Sequence, residues 1–236
     1  LEKLPILALD FTGSETKKFL SHFDEQLFVK VGMELFYESG PAIVHDIKSM
    51  GHKIFLDLKL HDIPTTVQKA MKQLAALEVD LVNVHAAGGL KMMEAAVNGL
   101  EQGSIGKARP EIIAVTQLTS TSESQMQNEQ NISGTLSDSV KNLAALSIEA
   151  GLDGIVCSAA DCPYLVPDFG SDFKYVTPGI RPRGSAANDQ VRTASPEEAR
   201  KLGASAIVVG RAITQSDNPV ERYFQIKKEW GGTDEK

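Results

Sequence analysis

Short apolar runs rich in β-branched residues alternate with stretches of helical periodicity from one end of the chain to the other. That alternation restricts the fold more than any other feature, because it predicts parallel strands joined by crossover helices. Eight strand-like runs can be counted, over residues 6–9, 27–31, 53–58, 81–85, 112–117, 154–157, 174–177 and 206–209. Helix-like stretches lie between them at 34–50, 90–100, 137–150 and 196–202, the last opened by Ser195 as a cap with Pro196 at the first helical position. Eight such units in 236 residues predict an α/β fold, a (β/α)8 TIM barrel, read as a single domain over residues 1–236. The 42% hydrophobic content suffices for one large core, and no break in composition favours two. A doubly wound open sheet is the alternative, but no G-x-G-x-x-G follows the first strand, where a dinucleotide fold needs it.

Barrels of this kind carry their chemistry where strands give way to the following loops, and the strand ends of this chain are polar. Asp10 ends the first run, Lys30 lies in the second, Asp57 and Lys59 in the third, and Asn83 and His85 close the fourth. The fifth leads into Gln117 and Thr119, the seventh into Pro178 and Arg181, and the eighth into Gly210 and Arg211. Charges inside apolar runs such as LFVKVG and FLDLKL are costly to bury alone, so these residues are expected to pair with one another.

The densest cluster is DLKLHDIPTT at 57–66. In an extended strand Asp57 and Lys59 share a face with Phe55 behind them, and Asp62 follows in the turn. An ammonium flanked by two carboxylates stays protonated, a fixed cation and proton donor. A salt-bridged strand end without chemistry is the competing reading. Ile63 and Pro64 stiffen the turn ahead of the amphipathic helix marked by Val67, Ala70, Met71, Leu74 and Leu77.

Two segments read as loops that cover a ligand: the long polar stretch 119–139, and 178–192, which carries Arg181 and Gln190. Gly210 permits close backbone approach and Arg211 can hold phosphate oxygens in a fork, although an ordinary capped turn has the same sequence. Elsewhere the chain excludes more than it suggests. A formal net charge of −7 with scattered Lys and Arg argues against nucleic acid. Cys157 and Cys162 form a lone C-x4-C that supports neither a zinc site nor a disulfide framework and fits a reduced, cytoplasmic setting. The apolar opening at 4–9 is too short for a signal segment, and no run approaches a membrane span. His61 and His85 are read as supports for the ion pairs rather than as ligands or bases, and Met33, Met71, Met92 and Met93 as fillers of core and interface gaps.

Taken together these residues resemble the orotidine 5'-phosphate decarboxylase family from end to end. The family signature D-x-K-x-x-D-I-P-x-T is met by Asp57, Lys59, Asp62, Ile63, Pro64 and Thr66. ALDF around Asp10, FVKVG around Lys30, QLTS around Thr119, VTPGIR ending in Arg181, NDQ ending in Gln190 and VVGR ending in Arg211 match as well. The resemblance implies decarboxylation of orotidine 5'-phosphate to uridine 5'-phosphate with neither metal nor organic cofactor, by a homodimer whose sites each borrow Asp62 and Thr66 from the partner. It implies that Lys59, Asp57, Asp62 and Lys30 form the catalytic array. It further implies that Asp10 and Lys30 hold ribose hydroxyls, Thr119 reads the pyrimidine, Gln190 bridges lid, base and phosphate, Arg181 supports the phosphate loop, and Gly210 with Arg211 holds the phosphate. Ile63, Thr66 and Pro178 are implied substrate contacts. Two readings remain beside it: a Mg2+-dependent sugar-phosphate decarboxylase or epimerase with a related D-x-K-x-x-D core, against which Lys30 argues, and a nucleotide-binding barrel without catalysis, which has no need of the charged array.

Overall fold

Each strand-like run pairs with the next in chain order. The computed structural model describes residues 4–181 and 193–232. It contains β1 (Ile6–Leu9), β2 (Phe28–Gly32), β3 (Lys53–Leu60), β4 (Leu81–His85), β5 (Glu111–Val115), β6 (Gly154–Val156), β7 (Lys174–Thr177) and β8 (Ala206–Val209), all parallel. Because β1 pairs with β8 as well as with β2, the sheet closes and has no edge. The chain is a (β/α)8 barrel. Its helices are α1 (Gly13–Leu20), α2 (Met33–Ser39), α3 (Pro41–Ser49), α4 (Pro64–Ala75), α5 (Leu90–Gly103), α6 (Glu123–Asn128), α7 (Leu136–Glu149), α8 (Cys162–Phe169), α9 (Pro196–Lys201), α10 (Arg211–Thr214) and α11 (Pro219–Gly231).

The two-residue period of the strands sorts their side chains into two cores. Leu7, Leu9, Val29, Val31, Ile54 and Leu56 join the layer between sheet and helices. Their neighbours Ile6, Ala8, Phe28, Phe55, Leu81, Ile113, Val176, Ala206 and Val208 fill the barrel interior. Continued one step further along four of the strands, the inward stripe turns polar: Ala8 is followed by Asp10, Phe28 by Lys30, Phe55 by Asp57 and Leu81 by Asn83. An apolar plug therefore seals the barrel below, and a polar layer lies above it.

Some boundaries differ from the sequence expectation for local reasons. The helix expected over 34–50 is two helices, because Gly40 adopts φ 63° and Pro41, which has no N–H to donate, opens α3. The segment 119–139 is partly folded: the Ser122 hydroxyl caps α6 by accepting from the Gln125 N–H at 3.1 Å, and Met126 is buried. Met71, Met92 and Met93 fill the core, and Met33 is exposed in the single chain. Among the described residues no helix is long and apolar enough to cross a membrane.

Candidate active site

Lys30 on β2 and Asp57 and Lys59 on β3 meet at the mouth of the barrel. Asp57 is buried, with Lys59 Nζ 2.6 Å from Oδ1 and Lys30 Nζ 3.3 Å from Oδ2. Gly32, the last residue of β2, leaves room for this, since a Cβ there would stand 3.2 Å from Lys30 Nζ. Burial pushes the Asp57 carboxyl up, but Lys30 and Lys59, helped by hydrogen bonds from Lys59 and Asn83, outweigh it and hold the group below the usual carboxylate range. The charged pairing expected from LFVKVG and FLDLKL is present.

Strict strand alternation does not hold at Lys59. β3 runs through Leu60, two residues beyond the expected end, and its register with β4 slips: Leu56 faces Val82 and Leu60 faces Val84. Asp57, Leu58 and Lys59 thus stand opposite the single residue Asn83. Lys59 takes φ 52°, a left-handed conformation that costs a side-chain-bearing residue energy. Its N–H donates to Asn83 Oδ1 at 2.8 Å, while Asn83 Nδ2 donates to Asp57 Oδ1 at 2.7 Å.

Lys30, Asp57, Lys59, Asn83, Gln117 and Thr119 line one cavity of ≈ 230 Å³, which Pro178, Ser120 and Cys157 complete. Apolar Phe55, Val176 and Val208 form its floor. Such a space has one charged wall and one greasy wall, suited to a planar polar ring. Asp10 and Gly210 lie together at the neighbouring ends of β1 and β8, where a Cβ on Gly210 would come 3.4 Å from Asp10 Oδ2. Arg211 begins α10, and Arg181 follows β7, its Nη1 donating to the Ile180 carbonyl at 2.8 Å. Neither arginine lines the cavity. Gln190 lies outside the described residues.

Of the two carboxylates expected around Lys59, the single chain brings one to it. Among the described residues only Asp57 pairs with it; Asp62 is exposed and its Oδ1 accepts from the Ile63 N–H at 2.6 Å. Asp62 and Ile63 lie in the turn after Leu60 and Thr66 in the first turn of α4, and all three are exposed in the single chain. His61 and His85 stack loosely at 5.7 Å between ring centroids. Burial, then His61 and Lys59, depress the His85 pKa against the pull of Asp57, so the ring favours its neutral form. Among the described residues no group of three His, Cys, Asp or Glu side chains is arranged to hold a metal ion.

The sequence marked Asn83 and Gln117 as polar strand ends without a specific role, and gave no role in the site to Ser120 or Cys157; the inward stripe Leu81, Asn83 was a usable signal for the first. A wider cleft of ≈ 740 Å³ opens at the opposite end of the barrel, among Lys48, Lys53, Glu78, Asp80, Lys107 and Arg109. Its charges are largely matched: Lys107 pairs with Glu78, and Arg109 with Asp153 at 2.9 Å. It lies where strands begin, the end that barrels use for stability rather than chemistry. The smaller cavity is the candidate site.

The chain is similar to known proteins along nearly its whole length. A family model described as orotidine 5'-phosphate decarboxylase / HUMPS family matches residues 3–226. An orotidine 5'-phosphate decarboxylase of Staphylococcus haemolyticus is 58% identical over 233 residues, covering 98% of this chain and 100% of the relative. One from Staphylococcus aureus is 57% identical over 231 residues, covering 98% and 99%. Among solved structures, an orotidine 5'-phosphate decarboxylase from Lactobacillus acidophilus superimposes with a TM-score of 0.88 at 42% identity, covering 97% of this chain and 99% of that one.

Proposed function

The chain belongs to the orotidine 5'-phosphate decarboxylase / HUMPS family, and from that premise we propose that it converts orotidine 5'-phosphate to uridine 5'-phosphate and CO2 in pyrimidine biosynthesis. The observation that carries the reading is the buried Asp57 clamped between Lys30 and Lys59 at the rim of a cavity with an apolar floor.

Breaking the bond between C6 and the carboxylate leaves an electron pair in an sp2 orbital that the pyrimidine ring delocalises poorly. The stabilising charge must come from the site. Lys59 faces C6, stabilises the developing carbanion and then delivers a proton from Nζ to C6. Asp57 lies beside the departing carboxylate, so like-charge repulsion raises the ground state and is relieved as CO2 leaves. Preorganised charge of this kind in a water-poor cavity is usually the largest single catalytic contribution. Lys30 and Asp10 hold ribose hydroxyls, Thr119 and Pro178 border the pyrimidine, and Gly210, Arg211, Arg181 and Gln190 serve the phosphate. Binding of that remote group contributes energy to closure over the reacting atoms.

A second copy of the chain completes the site. Asp62 and Thr66, with Ile63 between them in sequence, are exposed in the single chain, which suits residues delivered to a partner's cavity across a two-fold axis. A Mg2+-dependent sugar-phosphate reaction fits less well. Both Asp57 oxygens already carry ammonium partners, and a divalent ion among them would have to displace Lys30 or Lys59. The test is to mix purified protein with orotidine 5'-phosphate in excess chelator and follow the loss of substrate ultraviolet absorbance. Turnover to uridine 5'-phosphate is expected; absolute dependence on added Mg2+, or no turnover by folded protein, overturns the reading.

A further inference from the structure

The geometry points to Asn83 as a positioning residue for the decarboxylation, the side chain that sets the Lys59 ammonium and the Asp57 carboxylate in register with each other. The inference rests on the proposed activity.

Asn83 is 1% exposed at the centre of an apolar strand, where an unpaired amide would be costly. Its amide is used at both ends, and both ends go to the charged pair. Oδ1 accepts from the Lys59 N–H at 2.8 Å, and Nδ2 donates to Asp57 Oδ1 at 2.7 Å. A backbone ladder cannot do this here. Across the register slip one residue of β4 faces three of β3, so the Asn83 side chain supplies an acceptor that the β4 backbone does not. The acceptor matters because Lys59 holds φ 52°, a conformation an L-residue keeps only when its surroundings enforce it. Releasing that N–H lets the Lys59 backbone relax and carries Nζ with it. The donor matters because Asp57 Oδ1 receives Lys59 Nζ at 2.6 Å as well; the Asn83 amide fixes the plane in which that contact is made. One side chain thus couples backbone strain at the proton donor to the orientation of the carboxylate opposing it.

A residue that only fills a polar gap in the core would show itself in stability. A positioning residue shows itself in kcat and in its pH dependence. In Asn83→Ala both bonds are lost, and kcat should fall by roughly a hundredfold, the scale of a 1 Å misplacement. The inhibition constant of uridine 5'-phosphate, which lacks the departing carboxylate, should change by less than about threefold.

Asn83→Asp keeps the shape and the acceptor for the Lys59 N–H but places a second carboxyl against Asp57. Two carboxyls so close share a proton, and while they hold it the lost donor is restored. Turnover by N83D should therefore fall as pH rises through a range in which the wild type is flat.

Asn83→Ala with kcat within about threefold of wild type, or N83D with a pH profile parallel to wild type, overturns the assignment. If Asn83→Ala does not fold, as judged by its circular dichroism, the N83D profile decides alone. Wild-type turnover with both variants behaving like it removes only the role of Asn83, whereas a wild type that leaves orotidine 5'-phosphate untouched removes the proposed function and this inference together.

Discussion

Asp57 is a buried carboxylate that keeps its charge because Lys59 and Lys30 stand on its two oxygens at 2.6 and 3.3 Å. Its depressed pKa is a statement about stability as well as catalysis. The contribution is complete above the unfolded carboxyl pKa near about 4 and is lost as pH falls through the lower folded value. The same balance predicts the acid limb of activity. Lys30→Ala removes one of the two ammoniums while burial of Asp57 continues to favour the neutral acid, so the Asp57 pKa rises. The acid limb of kcat/KM should move to higher pH, measured against wild type in matched buffers. A limb that stays in place would mean that Lys30 does not hold the Asp57 charge. Much of this cluster was legible from residue type alone, since two lysines and an aspartate inside apolar runs have few ways to be buried except together. That Asn83 points inward was legible from the stripe Leu81, Asn83, but its link between Lys59 and Asp57 was not. It depends on which residue of β4 faces the slip in β3, and nothing within either strand fixes that register.

Strand elements follow from sequence because the period of two writes both cores at once, with Leu7 and Leu9 toward the helices and Ile6 and Ala8 toward the barrel axis. Irregularities inside elements were harder to read. Lys59 sits in a left-handed conformation that its sequence does not advertise, because a glycine would be the ordinary occupant. The break between α2 and α3 is carried by Gly40 and Pro41, yet the apolar periodicity continues across it and masks the signal. Helix pairing contributes to the site too. α4, whose first turn carries Thr66, packs closely on α5 through Gly99 and Gly103, where a Cβ would overlap the backbone carbonyls of Gln68 and Lys72. Gly99→Ala should therefore destabilise the fold by about 1–3 kcal/mol, the usual cost of overpacking against backbone that cannot move aside. Urea unfolding measures it, and an unchanged midpoint would show that the two helices part freely.

At the scale of the whole molecule, the single chain presents a closed barrel with a charged array, and its Asp62, Ile63 and Thr66 are exposed to solvent. Shared sites make a sharp prediction. A mixed dimer of Lys59→Ala and Asp62→Ala subunits holds one site with both defects and one with neither. With random exchange at equal amounts about half the dimers are mixed and about half of their sites intact, so roughly a quarter of wild-type activity should return. Verified mixed dimers as inactive as both parents would place Asp62 in its own subunit's site. The chain's exposed turn gave no hint of this in spacing alone; one sequence describes one subunit, and a site split between two is invisible to periodicity. The central claim is that Lys59 supplies both the stabilising cation and the proton. Release of CO2 from carboxyl-labelled orotidine 5'-phosphate, measured side by side for wild type and Lys59→Ala in chelator, tests it most directly. The wild type should release label and Lys59→Ala should be nearly silent while remaining folded; retention of more than roughly a tenth of the rate, a loss under about 1.4 kcal/mol of transition-state stabilisation, would contradict the account.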